Sequence, residues 1–395
     1  MKWASGIATE RELTAAVDEL AGPLADALGQ VEPDLVLAFA AGHAAAALAR
    51  LPGLLQPWLG DGLLVGCNGS GVIAGAREEE EGPALALLAG LLGDVELAAA
   101  HLEQGALPPI SGARESWWHL VGARPEAEPD FTILADPYSF DVEHCVRGLD
   151  RAFPGATIVG GMTSAVSQPG QACLLAGRDL HNAGALVLAW SGDVALEAIV
   201  SQGCRPVGEP LFVTASGDSR IRELDGKLPR EVLRELFATL DEPDRELFNA
   251  RQLLIGLALP GPRQEVGPGD FLVREVIGLD ADSGELVVGG RAAEHTVVQF
   301  HLRDADAAAA DLERQLQRHV RRVPQAPAAA LMFSCVGRGT SLYGVPGRDV
   351  GLFRRSFGEV PVAGLFCAGE LGPVQAATFL HAYSAVFGLI RPRRS

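Results

Sequence analysis

The segments ALMFSC at residues 330–335 and PVAGLFCAGE at residues 361–370 belong to one pattern. Both begin with a short apolar run, which is typical of a strand buried on both faces, and the second run leads into closely spaced glycines. A helix is predicted between them, near residues 349–357. The pattern predicts two neighbouring parallel strands joined by a helix, with the glycines at one edge of the sheet.

The same pattern occurs twice earlier in the chain. In each case two apolar runs flank a predicted helix, and the second run leads into a glycine-rich segment. These sets of first run, helix, second run and glycine-rich segment are 34–40, 44–51, 62–65 and 66–71, and then 131–135, 142–153, 157–159 and 160–164. Three matches in the same order indicate an internal duplication. We therefore expect the three glycine-rich segments to lie at corresponding edges of similar sheets.

The region between the second and third units has a different pattern. Residues 271–277, 285–288 and 296–302 predict an antiparallel meander that extends or covers the second sheet. The acidic run at 78–81 is predicted to be an exposed loop. The predicted class is α/β, with mixed sheets flanked by helices in two domains. The expected domains are residues 1–228 and 229–395.

Length and composition limit the possible functions. A chain of 395 residues with 48% apolar and 21% charged residues has enough material for two ordinary cores. The formal net charge of −18 and the presence of only two lysines, Lys2 and Lys227, argue against a nucleic-acid partner. The Gly66, Gly69 and Gly71 spacing differs from the dinucleotide fingerprint, and His295 and His301 have no evident third metal ligand. We therefore expect neither a cofactor nor a metal.

The cysteines and the apolar segments indicate the compartment. None of the six cysteines forms a Cys-x-x-Cys pair, which is typical of reduced thiols in a chain of this length. Glu10 and Arg11 stand where a signal peptide needs its apolar region. The most hydrophobic segment, residues 83–93, is too short to span a bilayer. The sequence therefore predicts a cytoplasmic protein without a membrane partner.

Two arginines lie in stiff or glycine-rich surroundings. Arg205 is held between a glycine and Pro206, whose ring biases Arg205 toward an extended conformation. Arg338 directly follows a predicted buried strand and has Gly337 and Gly339 beside it, which permit a sharp turn and close approach of a ligand. Each guanidinium could hold a carboxylate or phosphate through two parallel hydrogen bonds. The alternative is that each arginine braces a turn through an internal acid.

A third segment supplies an acid and an imidazole. Glu370 lies in a glycine-rich turn after the last predicted parallel strand, and His381 follows ten residues later. With the two arginines, these side chains would stand at the ends of strands, where α/β proteins commonly bind ligands. Arg338 is the sharpest case, because its replacement by lysine separates ligand binding from turn bracing.

The order of several blocks resembles the FIST family. In the first half the matching blocks are Ala135-Asp136-Pro137, 158–164, 203–208 and 224–226. In the second half they are 300–305, 333–339, 362–373 and 379–383. The resemblance extends from about residue 34 to residue 389. It implies a FIST N-terminal domain followed by a FIST C-terminal domain.

Membership of this family would imply a sensory function. Such domains are described as modules proposed to bind small ligands such as amino acids, and many are attached to signalling domains or follow an F-box. The segment before residue 34 is too short for an F-box, and the chain leaves no room for an output domain. The resemblance therefore implies a stand-alone bacterial type that binds a small molecule and passes the signal to a separate protein.

Two hypotheses from different classes follow. In the first, Arg205 and Arg338 hold the carboxylate of an anionic or zwitterionic metabolite and Glu370 holds its amine or hydroxyl. Neighbouring residues complete this predicted site, namely Cys204, Gly339 and His381. In the second, Cys335 is the nucleophile of an acyl-transfer enzyme, with His381 as base and Glu370 as orienting group. The sequence favours a binding protein over an enzyme, because Cys335 ends an apolar run typical of buried positions.

Overall fold

A computed structural model describes residues 1–259 and 271–393. Its strands, in chain order, are β1 (Lys2–Ala8), β2 (Leu35–Ala41), β3 (Leu63–Gly69), β4 (Val72–Ala74), β5 (Arg77–Glu79), β6 (Ala84–Leu91), β7 (Val95–Leu102), β8 (Asp130–Ala135), β9 (Ile158–Met162), β10 (Leu174–Ala176), β11 (Asp179–His181), β12 (Ala185–Gly192), β13 (Ala195–Gln202), β14 (Cys204–Gly217), β15 (Arg220–Leu224), β16 (Leu253–Ala258), β17 (Phe271–Leu279), β18 (Leu286–Val288), β19 (Val297–Arg303), β20 (Ala329–Cys335), β21 (Val362–Cys367), β22 (Glu370–Val374), β23 (Ala377–His381) and β24 (Ser384–Arg391).

The helices connect these strands and cover the sheets. They are α1 (Leu13–Leu28), α2 (Ala45–Leu48), α3 (Leu51–Leu59), α4 (Arg114–Val121), α5 (Val142–Ala152), α6 (Pro229–Thr239), α7 (Glu242–Asn249), α8 (Ala305–Arg322), α9 (Thr340–Tyr343) and α10 (Arg348–Phe357). Among the described residues, no helix is both long and apolar enough to cross a membrane.

The chain divides into two compact units. The larger unit comprises residues 1–201, 312–380 and 384–393, and the smaller comprises residues 202–259, 271–311 and 381–383. The expected domain boundary at residue 228 falls within the smaller unit, so the spatial division differs from a simple split of the sequence. The difference arises because β24 and β21, near the chain's end, hydrogen-bond to strands from its first half, β13 and β4 respectively.

Three six-stranded sheets of the larger unit share one order of strands. Sheet I has the order β1-β6-β2-β3-β10-β11, sheet II has β7-β12-β8-β9-β22-β23, and sheet III has β13-β24-β20-β21-β4-β5. In each sheet the third and fourth strands run parallel, and both neighbours of this pair are antiparallel to it. The predicted α/β class, with mixed sheets and a repeated strand–helix–strand unit, is confirmed.

The three sheets exchange hairpins in a closed cycle. The hairpin after β3 joins sheet III, the hairpin after β9 joins sheet I, and the hairpin after β21 joins sheet II. Each sheet therefore ends in two strands supplied by another repeat. The exchange brings segments that are distant in sequence to the carboxyl ends of the parallel strands.

One glycine per repeat permits the parallel strands to approach closely. Gly66, Gly160 and Gly364 stand at equivalent positions of β3, β9 and β21, each opposite a residue of its parallel neighbour. A Cβ atom at these positions would lie 2.0, 2.0 and 1.7 Å from the neighbouring carbonyl oxygen. These glycines were expected in turns after the strands, but they lie within the strands, where they remove a side chain that could not fit.

The sheets bury one face against each other and the other face against helices. Apolar side chains from all three sheets form a shared interior, which includes Phe39, Trp190 and Phe333. The outer face of sheet I packs against α1 and α3, and that of sheet II packs against α4 and α5. On sheet III, the rings of Phe353 in α10 and Phe387 in β24 stack with centroids 5.2 Å apart.

The smaller unit is a closed barrel. Its strand order is β14-β15-β18-β17-β16-β19, and its interior is filled by apolar side chains such as Val213, Ile255 and Phe300. The predicted meander corresponds to β17, β18 and β19. The expectation that it extends the second sheet is wrong, because these strands pair with β14, β15 and β16 and close on themselves.

The close approach at the repeated glycine can be tested at Gly364. The Gly364→Ala change should lower the free energy of unfolding by about 3 kcal/mol, the upper part of the usual cost of overpacking, because the added atom meets backbone. The Gly351→Ala change within α10 is the control. It has open space and should raise stability by up to about 1 kcal/mol. Urea denaturation measures both, and equal stability of the two variants would contradict the packing argument.

Candidate functional site

The carboxyl end of β20 brings together polar side chains in an otherwise apolar interior. Cys335 ends β20, Arg338 follows three residues later, Glu370 begins β22 and Ser384 begins β24. All four belong to the larger unit and are buried, with Arg338, Glu370 and Ser384 each 0% exposed. The sequence-predicted residues Arg338, Glu370 and Cys335 therefore meet around one point.

Arg338 is held by a buried ion pair. Its Nε donates to Oδ2 of Asp349 at 2.6 Å, and its Nη2 donates to Oδ1 of the same carboxylate at 2.9 Å. Nη2 also contacts the Tyr343 hydroxyl at 2.6 Å. Asp349 is 1% exposed and lies in the first turn of α10. A buried guanidinium needs such a partner, since an unpaired charge in the interior is costly.

One nitrogen of the same guanidinium is not used by Asp349 or Tyr343. Nη1 of Arg338 is fully buried and has no hydrogen-bond partner among the described residues. One edge of the guanidinium braces the turn through Asp349, as the structural alternative proposed. A contact of the remaining nitrogen with a ligand stays a prediction.

Glu370 lies beside Arg338 as a neutral acid. Its Oε2 accepts hydrogen bonds from the Ser384 hydroxyl at 2.7 Å and the Ser384 backbone N–H at 3.3 Å. Burial raises the pKa of Glu370 to about 8, against the lowering effects of Ser384, the Arg338 charge and the Cys335 thiol. At neutral pH the carboxyl is protonated. Because Oε2 already accepts, the proton is best placed on Oε1, which has no partner in the described part of the chain.

A third polar group points to the same interior face. Glu370 stands opposite Gly161 in the pairing of β22 with β9, and Thr163 lies two residues beyond Gly161. Side chains two residues apart along a strand share a face, so Thr163 and Glu370 are diagonal neighbours. The Thr163 hydroxyl is 0% exposed and lacks a hydrogen-bond partner within residues 1–259 and 271–393. Ser334 lies outside this group, because it points to the opposite face of β20 from Phe333.

Three buried polar atoms of this interior thus lack partners among the described residues: Nη1 of Arg338, Oε1 of Glu370 and Oγ1 of Thr163. Each such atom costs about 1–3 kcal/mol when it is left unsatisfied. All three can donate a hydrogen bond while Glu370 is protonated. The arrangement can therefore hold an oxygen atom of a small ligand, preferably one with negative charge.

The acidic run before β6 takes part in the same region, against the expectation of an exposed loop. Glu78 is only 5% exposed, and its carboxylate accepts from the backbone N–H groups of Gly347 and Val350, each at 2.8 Å. Oε1 of Glu80 accepts from the backbone N–H and the hydroxyl of Thr340, also at 2.8 Å. The correction has a physical cause, since β5 is carried to sheet III by the exchanged hairpin.

Gly339 has the conformation that its neighbours suggested but contacts an internal acid. Its φ is +58°, a region that favours glycine, and a Cβ there would lie 2.5 Å from Oε1 of Glu80. The glycine therefore gives Glu80 access to the turn. Direct contact of Gly339 with a ligand stays a prediction.

The other predicted site residues belong to the smaller unit. Arg205 donates from Nε to Asp304 at 2.9 Å and from Nη1 to Asp244 at 3.1 Å, and its Nη2 also pairs with Asp244. Cys204 begins β14 and is half-buried, and His381 is 2% exposed. A ligand function of Arg205 stays a prediction and would require the ligand to displace Asp244.

Several residues of the site were not identified from the sequence. They are Asp349, Tyr343, Thr163, Ser384, Glu78 and Glu80. Asp349 offered the best signal, since it is an acid in the first turn of a predicted helix shortly after Arg338. Thr163 and Ser384 gave none, because hydroxyl residues are common at strand ends. Within the described ranges, no three His, Cys, Asp or Glu side chains are arranged to hold a metal ion.

Comparison with known proteins identifies the family. The FIST N domain matches residues 34–227 and the FIST C domain matches residues 229–373. An uncharacterized protein of Mycobacterium tuberculosis strain H37Rv is 32% identical over 98% of this chain and 99% of its own length. An uncharacterized protein of Mycobacterium bovis is 32% identical over 98% of both chains. The crystal structure of cyanuric acid hydrolase from A. caulinodans aligns over both whole chains with 10% identity and a TM-score of 0.35.

The chain belongs to the FIST family, with both of its domains in one polypeptide. FIST domains are sensory domains of signal transduction, so the predicted family and its general function are confirmed. The two family matches meet near residue 228, whereas the compact units divide the chain differently.

The protonated state of Glu370 predicts the sign of a pH effect. The folded chain keeps a proton that the unfolded chain releases near pH 4.5, so this carboxyl's contribution to stability is fully present below pH 4.5 and is lost as pH rises through about 8. Each unit of raised pKa corresponds to about 1.4 kcal/mol. The difference in stability between the Glu370→Gln variant and the parent protein should therefore shift in favour of the variant between pH 5 and pH 8.

Thermal melting between pH 5 and pH 8 measures this effect. The control is Glu81→Gln, an exposed residue whose replacement should leave the pH dependence as in the parent chain. The stability of the parent protein could instead rise over this range, with the Glu370→Gln variant following the same curve. That result would show that Glu370 is ionised in the folded state.

Proposed function

We propose that this protein is a small-molecule sensor that binds an anionic or zwitterionic metabolite, such as an amino acid, between Arg338, Glu370 and Thr163. One observation carries the proposal. Three fully buried side chains from three different segments each leave one polar atom without a partner in the described chain, although Arg338 and Glu370 are otherwise bound by Asp349 and Ser384. A carboxylate oxygen would accept from all three.

The charges of the surrounding residues support a carboxylate. Arg338 and Asp349 neutralise each other, and Glu370 is uncharged at neutral pH, so these three side chains together present no net negative charge to an anion. Burial strengthens each hydrogen bond to a charged ligand. The hypothesis in which ionised Glu370 holds an amine makes the opposite prediction for pH, because that contact needs the carboxylate form.

A binding function is better supported than the acyl-transfer alternative. Cys335 is 6% exposed and lies in the interior beside the protonated Glu370 carboxyl. A catalytic thiolate is normally found in an electropositive and partly exposed environment. The burial of Cys335 therefore supports the binding function over catalysis.

The Thr163→Val change tests the proposed site with little effect on shape. Without ligand, the variant should be more stable by about 1 kcal/mol, because a buried hydroxyl without a partner is removed. Affinity for the ligand should fall about fivefold or more, since one hydrogen bond to its oxygen is lost. A thermal-shift screen of amino acids and small carboxylates identifies the ligand, and calorimetric titration measures the affinity.

Thr132→Val is the matched control. Thr132 is also buried, but its hydroxyl accepts from Nε1 of Trp190 at 3.0 Å, so the change should destabilise the protein and leave the affinity per folded molecule unchanged. Arg338→Lys is a weaker test, because it also breaks the pair with Asp349 and should lower the melting temperature. Equal ligand affinity in Thr163→Val and the parent protein would reject this site.

Ligand affinity should also depend on pH. An anion held by protonated Glu370 should bind more weakly as pH rises above about 8, where this carboxyl loses its proton. An amine held by ionised Glu370 should bind more tightly over the same range. Calorimetric titration at pH 6.5 and pH 9 distinguishes the two, and the Glu370→Gln variant, which cannot ionise, should lose the dependence in either case.

A further inference from the structure

The three unpartnered atoms are fully buried, so a ligand reaches them only if part of the structure moves. Residues 336–347, between β20 and α10, have the features of a movable segment. Apart from the four-residue helix α9, this segment has no regular structure. Gly339, Gly344 and Gly347 have φ values of +58°, +71° and +77°, and their flexibility lowers the cost of changing the backbone.

The segment contributes directly to the candidate site. It carries Arg338 itself, and the hydroxyl of Tyr343 binds Asp349 at 2.8 Å and closes over the ion pair. Its outer surface shows Val336 and Val345, which are 44% and 55% exposed. One side of the segment therefore faces the buried polar group while the other side faces solvent.

Two acids of the exchanged hairpin fasten this segment at different places. Glu78 is buried and binds Gly347 and Val350, where the segment joins α10. Glu80 is only half-buried and binds Thr340 in the middle of the segment. Water can compete for the contacts of Glu80 more easily than for those of Glu78. The middle can thus detach while the end at Gly347 stays anchored.

We propose that residues 336–347, which carry Arg338, form a lid over Glu370 and Thr163, with Glu80 as its latch and Glu78 as its anchor. The proposal rests on the proposed ligand site. The ligand enters after the two hydrogen bonds between Glu80 and Thr340 break, the Tyr343 hydroxyl leaves Arg338 and Asp349, and the backbone turns at Gly344 and Gly347. Because β5 pairs with β4 and forms the edge of sheet III, the acids that control this entry stand outside the central strands.

The Glu80→Ala change in the full chain tests the latch without a ligand. Amide hydrogen exchange of residues 336–347 should become about tenfold faster, the lower end of the effect expected for charge-assisted hydrogen bonds. Exchange in β20 and α10 should stay as in the parent protein. Glu79→Ala is the matched control, since Glu79 is next to Glu80 and pairs with Arg77 on the surface. Unchanged exchange of the lid in Glu80→Ala would overturn the proposal.

The kinetics of ligand binding give a second readout. If Glu80 holds the lid closed in both the free and the bound protein, Glu80→Ala lowers the barrier to opening in both states. Association and dissociation rates should therefore both rise about tenfold, while Kd changes less than threefold. Stopped-flow measurements use the carboxylate found by the thermal-shift screen. Unchanged rates, or a weaker Kd with faster exchange throughout the larger unit, would show that Glu80 is a structural brace and overturn the lid.

The two proposals can fail separately. If the parent protein binds no carboxylate but the lid exchanges faster in Glu80→Ala than in Glu79→Ala, the ligand class is wrong and the latch stands. If Thr163→Val weakens binding but Glu80→Ala leaves lid exchange and binding rates unchanged, the ligand site stands and the lid is rejected.

Discussion

The buried ion pair of Arg338 with Asp349 is the interaction on which the candidate site depends. A guanidinium with no exposure needs a partner, and Asp349 supplies both carboxylate oxygens from the first turn of α10. The pair fixes the turn after β20 and leaves one nitrogen of Arg338 directed away from Asp349. It also places a positive charge near Glu370, yet burial outweighs that charge and keeps Glu370 protonated.

The exchange of hairpins explains why this chemistry can be assembled at all. β5 comes from the first repeat, Thr163 follows a strand of the second, and Glu370 begins the hairpin that the third repeat gives to sheet II. The glycines at positions 66, 160 and 364 allow the parallel pairs to approach closely, so the strand ends meet around a narrow interior. The fold thereby places polar groups together at the ends of strands whose other residues are apolar and buried.

Sequence patterns predicted the local units better than their assembly. The apolar runs identified all three parallel pairs, because a strand buried on both faces leaves a continuous apolar signal. The exchange of hairpins left no such signal, since β4, β5, β10 and β11 are only three residues long. Arg338, Glu370 and Cys335 were found through their glycine-rich surroundings. Thr163 and Asp349 were missed because their importance comes from burial and from partners distant in sequence.

A high-resolution crystal structure of the protein with its bound small carboxylate tests the central claim most directly. We expect density for a carboxylate with an oxygen within about 3.2 Å of Nη1 of Arg338, Oε1 of Glu370 and Oγ1 of Thr163. Density for the ligand elsewhere on the protein, with these three atoms bonded to one another or to a single water molecule, would contradict the account.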